Sequence, residues 1–155
     1  MKIKYTPVDQ IEDLLESDSG TGLLIQLGNY HKQLEEAFQK LFELPVKLTE
    51  EAMSRYISLG NLEYELRVFL LTSGILPAFQ WEDWIEGSEI VKRIRHPRSI
   101  NRIKALKLLY LIIKLDEKDC GLFERSLKNG KILWLLENVL DIDAAEKQSG
   151  KFFDL

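Results

Sequence analysis

Ser99-Ile-Asn-Arg-Ile-Lys-Ala-Leu-Lys-Leu-Leu-Tyr-Leu-Ile-Ile-Lys-Leu115 is the stretch whose pattern decides the fold. Ile103, Leu106, Leu109, Tyr110 and Ile113 recur at steps of three and four, which makes one helix face apolar, and Leu108 and Ile112 widen that face. The polar stripe is narrow: Lys104, Lys107 and Lys114, with Leu111 among them. A helix this apolar on all sides belongs in the centre of a bundle. Residues 99–115 are therefore expected to form the central element, with Ser99 as its N-cap.

Downstream, Asp116 to Gly121 reads as a turn and Leu122 to Asn129 as a short helix ended by Gly130. Ile132, Leu135, Leu136 and Val139 mark a last strong helix. Residues 144–155 are expected to be a loosely attached tail whose Phe152 and Phe153 dock on something. Upstream, Pro97 closes a helix carrying Trp84, Val91 and Ile94, with Gly87-Ser88 as an interruption. Gly74 is placed as the left-handed C-cap of a helix built on Leu62, Leu66, Phe69 and Leu70. Gly60-Asn61 separates it from a helix capped by Thr49, with Met53, Tyr56 and Ile57 facing inward. Leu23, Leu27, Tyr30, Leu34, Phe38 and Leu41 form an amphipathic helix ended by Pro45, with Gly28-Asn29 as a candidate break. At the start, Thr6 is read as an N-cap and Pro7 as the first position of a short helix bearing Ile11, Leu14 and Leu15, and Ser17 to Gly22 as the loop after it. Two-residue alternation flanked by hairpin turns is missing, so little or no sheet is expected. The fold expected is all-α: an irregular single-domain bundle (1–155) of about six to eight helices around the 99–115 helix.

Composition narrows the function classes. A chain of 155 residues with 45% hydrophobic and 30% charged residues has the balance of a globular protein, not of a disordered or membrane one. Its richest apolar run, Leu106 to Ile113, is too short to span a bilayer. Met1 to Tyr5 lacks the apolar stretch of a secretory signal, so a cytoplasmic location is expected. Cys120 is the only cysteine, which excludes an intramolecular disulfide and a cysteine zinc site within one chain. With His31 and His96 the only histidines, soft-metal ligands are scarce, and neither a metal site nor a cofactor is expected.

Two stretches carry a resemblance. Phe79-Gln-Trp-Glu-Asp-Trp84 is one, and Lys114-x-Asp116-x-x-x-x-Gly121-x-Phe123-x-x-x-Leu127-x-x-Gly130-x-Ile132 is the other. In order and spacing, the second half of the chain resembles a small uncharacterised bacterial all-helical family, a domain of unknown function. That family pairs an aromatic-x-Trp-x-x-Trp element with a Gly-x-Ile C-terminal helix. This chain has Glu117-Lys118 where the pattern has Arg-Phe, and Leu122 where it has His. The resemblance implies an all-helical fold and carries no chemistry with it.

The candidate chemistry is sparse. Seven Lys or Arg and no acid lie between Lys92 and Lys107, on a chain of net charge −4, so the remainder carries −4 less +7, or −11. Lys92, Arg93, Arg95, Arg98, Arg102, Lys104 and Lys107 offer charge for nucleic-acid phosphates or for an acidic partner. The alternative is a self-neutralised face, since Glu82, Asp83, Glu86 and Glu89 precede the segment and Glu89 stands four residues before Arg93. Trp81 and Trp84, beside Arg93, Arg95, Arg98 and Arg102, fit either a binding patch or core. Cys120 paired with His31 or His96 lacks any nucleophile signature, and its acidic neighbours oppose a thiolate. Calcium-loop, phosphate-loop and zinc-protease spacings are absent. The function expected first is a non-enzymatic cytoplasmic module acting through protein contacts, with another protein or with itself. Nucleic-acid or phosphate-ligand binding through 92–107 comes second, and a small hydrolase or transferase third.

Overall fold

A computed structural model of the chain describes residues 1–42, 50–93 and 99–142. The central stretch folds as expected: α5 runs Arg102–Asp116, and from Ala105 to Ile113 every residue but Lys107 is buried. Its cap is Asn101, not Ser99, and the Asn101 side chain accepts a hydrogen bond from the Lys104 amide at 2.7 Å. Asparagine competes well for this role because its short carbonyl arm reaches the third amide of the helix.

The other elements are laid around α5. In chain order they are the two-residue strand β1 (Thr6–Pro7), a 3-10 turn, α1 (Ile11–Glu16), α2 (Asp18–Phe42) and α3 (Glu50–Thr72). Next come β2 (Pro77–Ala78), a second 3-10 turn (Trp81–Asp83) and α4 (Ile85–Lys92). After α5 follow α6 (Leu122–Lys128) and α7 (Lys131–Leu140). Helix α7 lies between α5 and α2, α2 also packs on α1 and α3, and α4 and α6 cover α5. Seven α-helices among the described residues make this an all-α bundle. None of them is long and apolar enough to cross a membrane.

Helix α7 is as enclosed as α5: all nine residues from Lys131 to Val139 are buried. The apolar periodicity marks four of them, but Lys131, Glu137 and Asn138 go inside as well. Each has a partner. The Asn138 carbonyl oxygen accepts from the Ile100 amide at 3.0 Å, and its amide donates to the Trp134 carbonyl at 2.8 Å. Gly130 (φ +87°) lets the chain reverse between α6 and α7, a conformation that costs other residues a steric clash.

Several local expectations yield to tertiary packing. Thr6 caps no helix: its hydroxyl donates to the Gly74 carbonyl at 2.5 Å and its amide to Leu76, pairing β1 with β2 in parallel. Gly74 has the left-handed φ of +83° expected of a C-cap. Ser17 to Gly22 is no loop, because Ser17 caps α2 by accepting from the Gly20 amide at 3.1 Å. Gly28, Gly60 and Gly87 interrupt nothing, since one glycine costs a packed helix only about 1 kcal/mol. Met53, expected inward, is 51% exposed. Helix α4 ends at Lys92, ahead of Pro97. Pro45, Thr49, Ile94, Pro97 and the tail with Phe152 and Phe153 lie outside the described residues, as do the side chains of Leu41, Tyr56 and Ile57.

Gly20 is explained by close approach. A Cβ there would stand 1.8 Å from the Leu14 carbonyl oxygen of α1, while one at Gly22 would meet nothing within 4 Å. Gly20→Ala is expected to destabilise the fold by about 1–3 kcal/mol, since backbone has to move. Gly22→Ala, one turn-half away on the same helix, is expected to stabilise it by about 0.5–1 kcal/mol. Paired denaturant titrations check this, and equal midpoints for the two variants would contradict the α1–α2 contact.

Candidate functional site

Trp81 and Trp84 do not share a helix face. Trp81 opens the 3-10 turn and Trp84 is the residue preceding α4, each half-buried. The indole of Trp84 lies over Gly87, where a Cβ would be 2.3 Å from its ring, and it meets Phe79 edge-on at 5.5 Å. Phe79 in turn stacks obliquely on Tyr110 at 5.3 Å, and Tyr5 meets Tyr110 edge-on at 5.1 Å. Burial raises the Tyr110 phenol above its ordinary value.

The lysines of α5 lie along this aromatic strip. The Lys107 ammonium sits 4.6 Å from the Phe79 ring centre and 4.5 Å from that of Trp84. Lys114 covers Tyr5 and Tyr110, and Lys118, in the turn after α5, stands 5.8 Å from Trp81. Such contacts are worth about 0.5–1 kcal/mol each at exposed positions. Lys104 donates to Glu86, and that hydrogen bond holds the Glu86 carboxyl below its usual range.

Of the candidate binding residues, Trp84 and Arg102 share a cleft of about 830 Å³ bounded also by Lys104 and Lys107. Acids face them across it: Glu12 and Glu16 of α1, Glu86, and Asp141. Arg102 is anchored there through its Nε, which donates to the Val139 carbonyl at 2.6 Å. Arg93 lies apart, on a second pocket, and Trp81 lines neither. Arg95 and Arg98 lie outside the described residues. Cys120 is a free, exposed thiol in the turn after α5, whereas His31 is buried against Glu137; His96 lies outside the described residues.

The second pocket, about 660 Å³, opens where the ends of α4 and α5 meet α6 and the start of α7. Val91, Leu115 and Leu122 give it an apolar floor. Lys92, Arg93, Lys118, Arg125 and Lys131 line it against a single acid, Asp119. Arg125 pairs with Asp119 at 2.6 Å on the exposed rim. Lys131 is buried, and its ammonium donates to the carbonyls of Val91 and, at 2.8 Å, Arg93. It thereby caps the negative end of α4. Burial pushes its pKa below the ordinary lysine value.

One side chain organises the turn beneath this pocket. Asp116 Oδ1 accepts from the amides of Gly121 (3.2 Å) and Phe123 (3.0 Å), and Oδ2 accepts from Arg67 at 3.2 Å. The Arg67 guanidinium also lies 4.5 Å above the Phe123 ring, tying α3 to α6. Gly121 needs its φ of +96° to bring its amide into this turn. Asp116, Gly121, Phe123 and Gly130 thus form a structural cassette, and these are the residues that carry the second resemblance motif.

A family model covers residues 28–144, described as a family of unknown function (DUF6508). The chain belongs to DUF6508. The DUF6508 match takes in the Trp81–Trp84 element, the Asp116 turn and all of α3 to α7, and it begins well ahead of the second-half motifs. No curated protein and no solved structure matches the chain.

Two features of the site escaped the sequence. Lys131 had a signal: a lysine at the first position of α7 opposes the helix dipole, so it needs another reason to be there. The cluster of His31, Glu35 and Glu137 was half visible, since His31 and Glu35 are one turn apart on α2, whereas Glu137 comes from 106 residues beyond His31. Lys131 has a pH consequence. Its folded pKa is depressed, so the unfolded chain binds more protons between the folded value and 10.5, and stability rises with pH through that window. Wild type minus Lys131→Met is therefore expected to improve from neutral pH to about pH 10 in urea titrations. A flat difference would show that the ammonium is not desolvated.

Proposed function

We propose that this chain is a non-enzymatic cytoplasmic binding module, and that its ligand is an organic anion with an apolar body. The observation that carries this is the second pocket: an apolar floor with five cations and one acid around it. Among the described residues, Lys92 and Arg93 have no carboxylate in ion-pair contact. They are well placed to meet a carboxylate or phosphate while Val91, Leu115 and Leu122 shed water against the ligand's apolar part. The described residues of the basic segment do not form one surface. Lys92 and Arg93 line this pocket, whereas Arg102, Lys104 and Lys107 line the other cleft and are engaged there. That division favours a compact anion over the extended phosphate track of a nucleic acid.

A fluorescent aromatic sulfonate is a suitable probe. It is expected to bind one per chain, to be displaced by aromatic carboxylates or phosphates, and to weaken about tenfold in a Lys92→Ala/Arg93→Ala variant, which is about 1.4 kcal/mol. Arg102→Ala should leave it unchanged. Tight duplex binding that falls steeply with salt, with no probe displacement, would replace this function with nucleic-acid binding.

Contact with another protein, or with a second copy, is favoured by a different observation. Ile85, the first residue of α4, is 72% exposed next to Trp84 on the rim of the larger cleft. An exposed apolar residue beside a tryptophan fits an interface, where aromatic anchors are enriched. Light scattering at rising concentration is expected to show association that Ile85→Asp abolishes without a loss of melting temperature. A concentration-independent monomer would rule out self-association through this edge.

A further inference from the structure

We infer that His31, Glu35 and Glu137 form a binding site for a divalent transition metal, of which Zn²⁺ is the type, clamping α2 to α7. Their donor atoms all lie within 4.8 Å of one another. His31 Nε2 is 3.3 Å from Glu137 Oε2 and 3.9 Å from Glu35 Oε2. Two ligands about 2.0–2.1 Å from a tetrahedral zinc stand roughly 3.3–3.4 Å apart, so the first pair already has the separation a shared ion requires. The second pair, and the Glu35–Glu137 separation of up to 4.8 Å, need Glu35 to swing inward by about an ångström or more, which its 39% exposed side chain has room to do.

The charges point the same way. His31 and Glu137 are each 8% exposed. Among the described residues, neither Glu35 nor Glu137 has a lysine or arginine in ion-pair contact; both turn to the one imidazole. Glu137 is thus an enclosed carboxylate with no fixed cation beside it, a placement that is costly unless a cation is drawn in. A bound divalent ion supplies that charge. One nitrogen and two oxygen donors suit Zn²⁺, Co²⁺, Mn²⁺ or Fe²⁺ better than soft Cu⁺. Three protein donors would leave a further position to water.

The backbone holds the donors ready. His31 and Glu35, four apart on α2, project from the same face. Glu137 comes from α7, which packs directly on α2, with Leu140 Cδ2 only 3.9 Å from where a Cβ on Gly28 would be. The site is separate from the anion pocket, which begins at the opposite end of α7 with Lys131.

The test uses the full chain, stripped with a chelator and titrated with Zn²⁺ or Co²⁺ alone. Calorimetry is expected to show one ion per chain, Co²⁺ to give the visible absorption of a low-coordinate nitrogen–oxygen site, and Zn²⁺ to raise the melting temperature. Glu35→Gln keeps a half-exposed position folded and should weaken binding by about tenfold or more while removing the thermal shift. His31→Asn and Glu137→Gln should abolish binding, read beside circular dichroism because both positions are buried. Absence of stoichiometric binding, or binding to Glu35→Gln as tight as to the wild type, would overturn the inference. In the first case His31 and Glu137 are only an internal pair, and in the second the ion binds elsewhere.

Discussion

Helices α5 and α7 touch along their length, and neither has a solvent-facing side of any width. Each buried leucine or isoleucine on such a rod contributes about 1.5–3 kcal/mol once water is excluded from all around it. Neither helix can obtain that alone. The remaining elements supply the cover: α2 over α7, α4 and α6 over α5, and the β1–β2 pair closing the N-terminal strand against the end of α3. The short strands are a by-product of this closure, since Thr6 and Pro7 lie where Leu76 offers a carbonyl.

Enclosing α7 forces three polar side chains inside, and each becomes a joint between elements. Asn138 receives the Ile100 amide just before α5 begins, so it fixes how the chain enters the central helix. Lys131 holds the carbonyls at the end of α4, and Glu137 meets His31 of α2. A polar group buried without a partner costs about 1–3 kcal/mol, more when charged, and that penalty makes these contacts specific. Apolar packing alone would let α4 or α2 slide along α7; a lysine reaching two carbonyls does not. The Asp116 turn works in the same manner between α3, α5 and α6.

The helical class and the central rod were legible because periodicity is a local signal and the 99–115 stretch repeats it without interruption. Glycine was where local reading failed. Gly20, Gly28 and Gly87 look like loop or break signals, yet they lie within helices, two of them where another group comes close: the Leu14 carbonyl at Gly20 and the Trp84 indole at Gly87. A glycine required by a group packed against it is indistinguishable in sequence from one required by its own φ. Among the described glycines, only at Gly74, Gly121 and Gly130 is positive φ the reason. Of the candidate binding residues, Trp84 and Arg102 come together while Trp81 and Arg93 do not, because the 3-10 turn and the early end of α4 rotate them away from the spacing an uninterrupted helix would give. The burial of Lys131 and Glu137 was hidden, since hydropathy patterns assign charged residues to solvent.

Those two residues also bear on why a chain with no recognisable catalytic set has polar groups in its most enclosed helix. Leucine at either position would keep the rod apolar and avoid a desolvation penalty. Stability alone therefore does not account for them. Lys131 opposes the dipole of its own helix and loses hydration, and it returns this by ordering the end of α4, which bears Lys92 and Arg93. The position of those two cations over an apolar floor is thus set from beneath by a buried charge. Glu137, six residues on, likewise fixes the imidazole of His31 beside a carboxylate open to solvent. Both times an interior charge sets the geometry of groups on a neighbouring helix: the exposed Lys92 and Arg93 at the end of α4, and the enclosed imidazole of His31 beside Glu35 on α2.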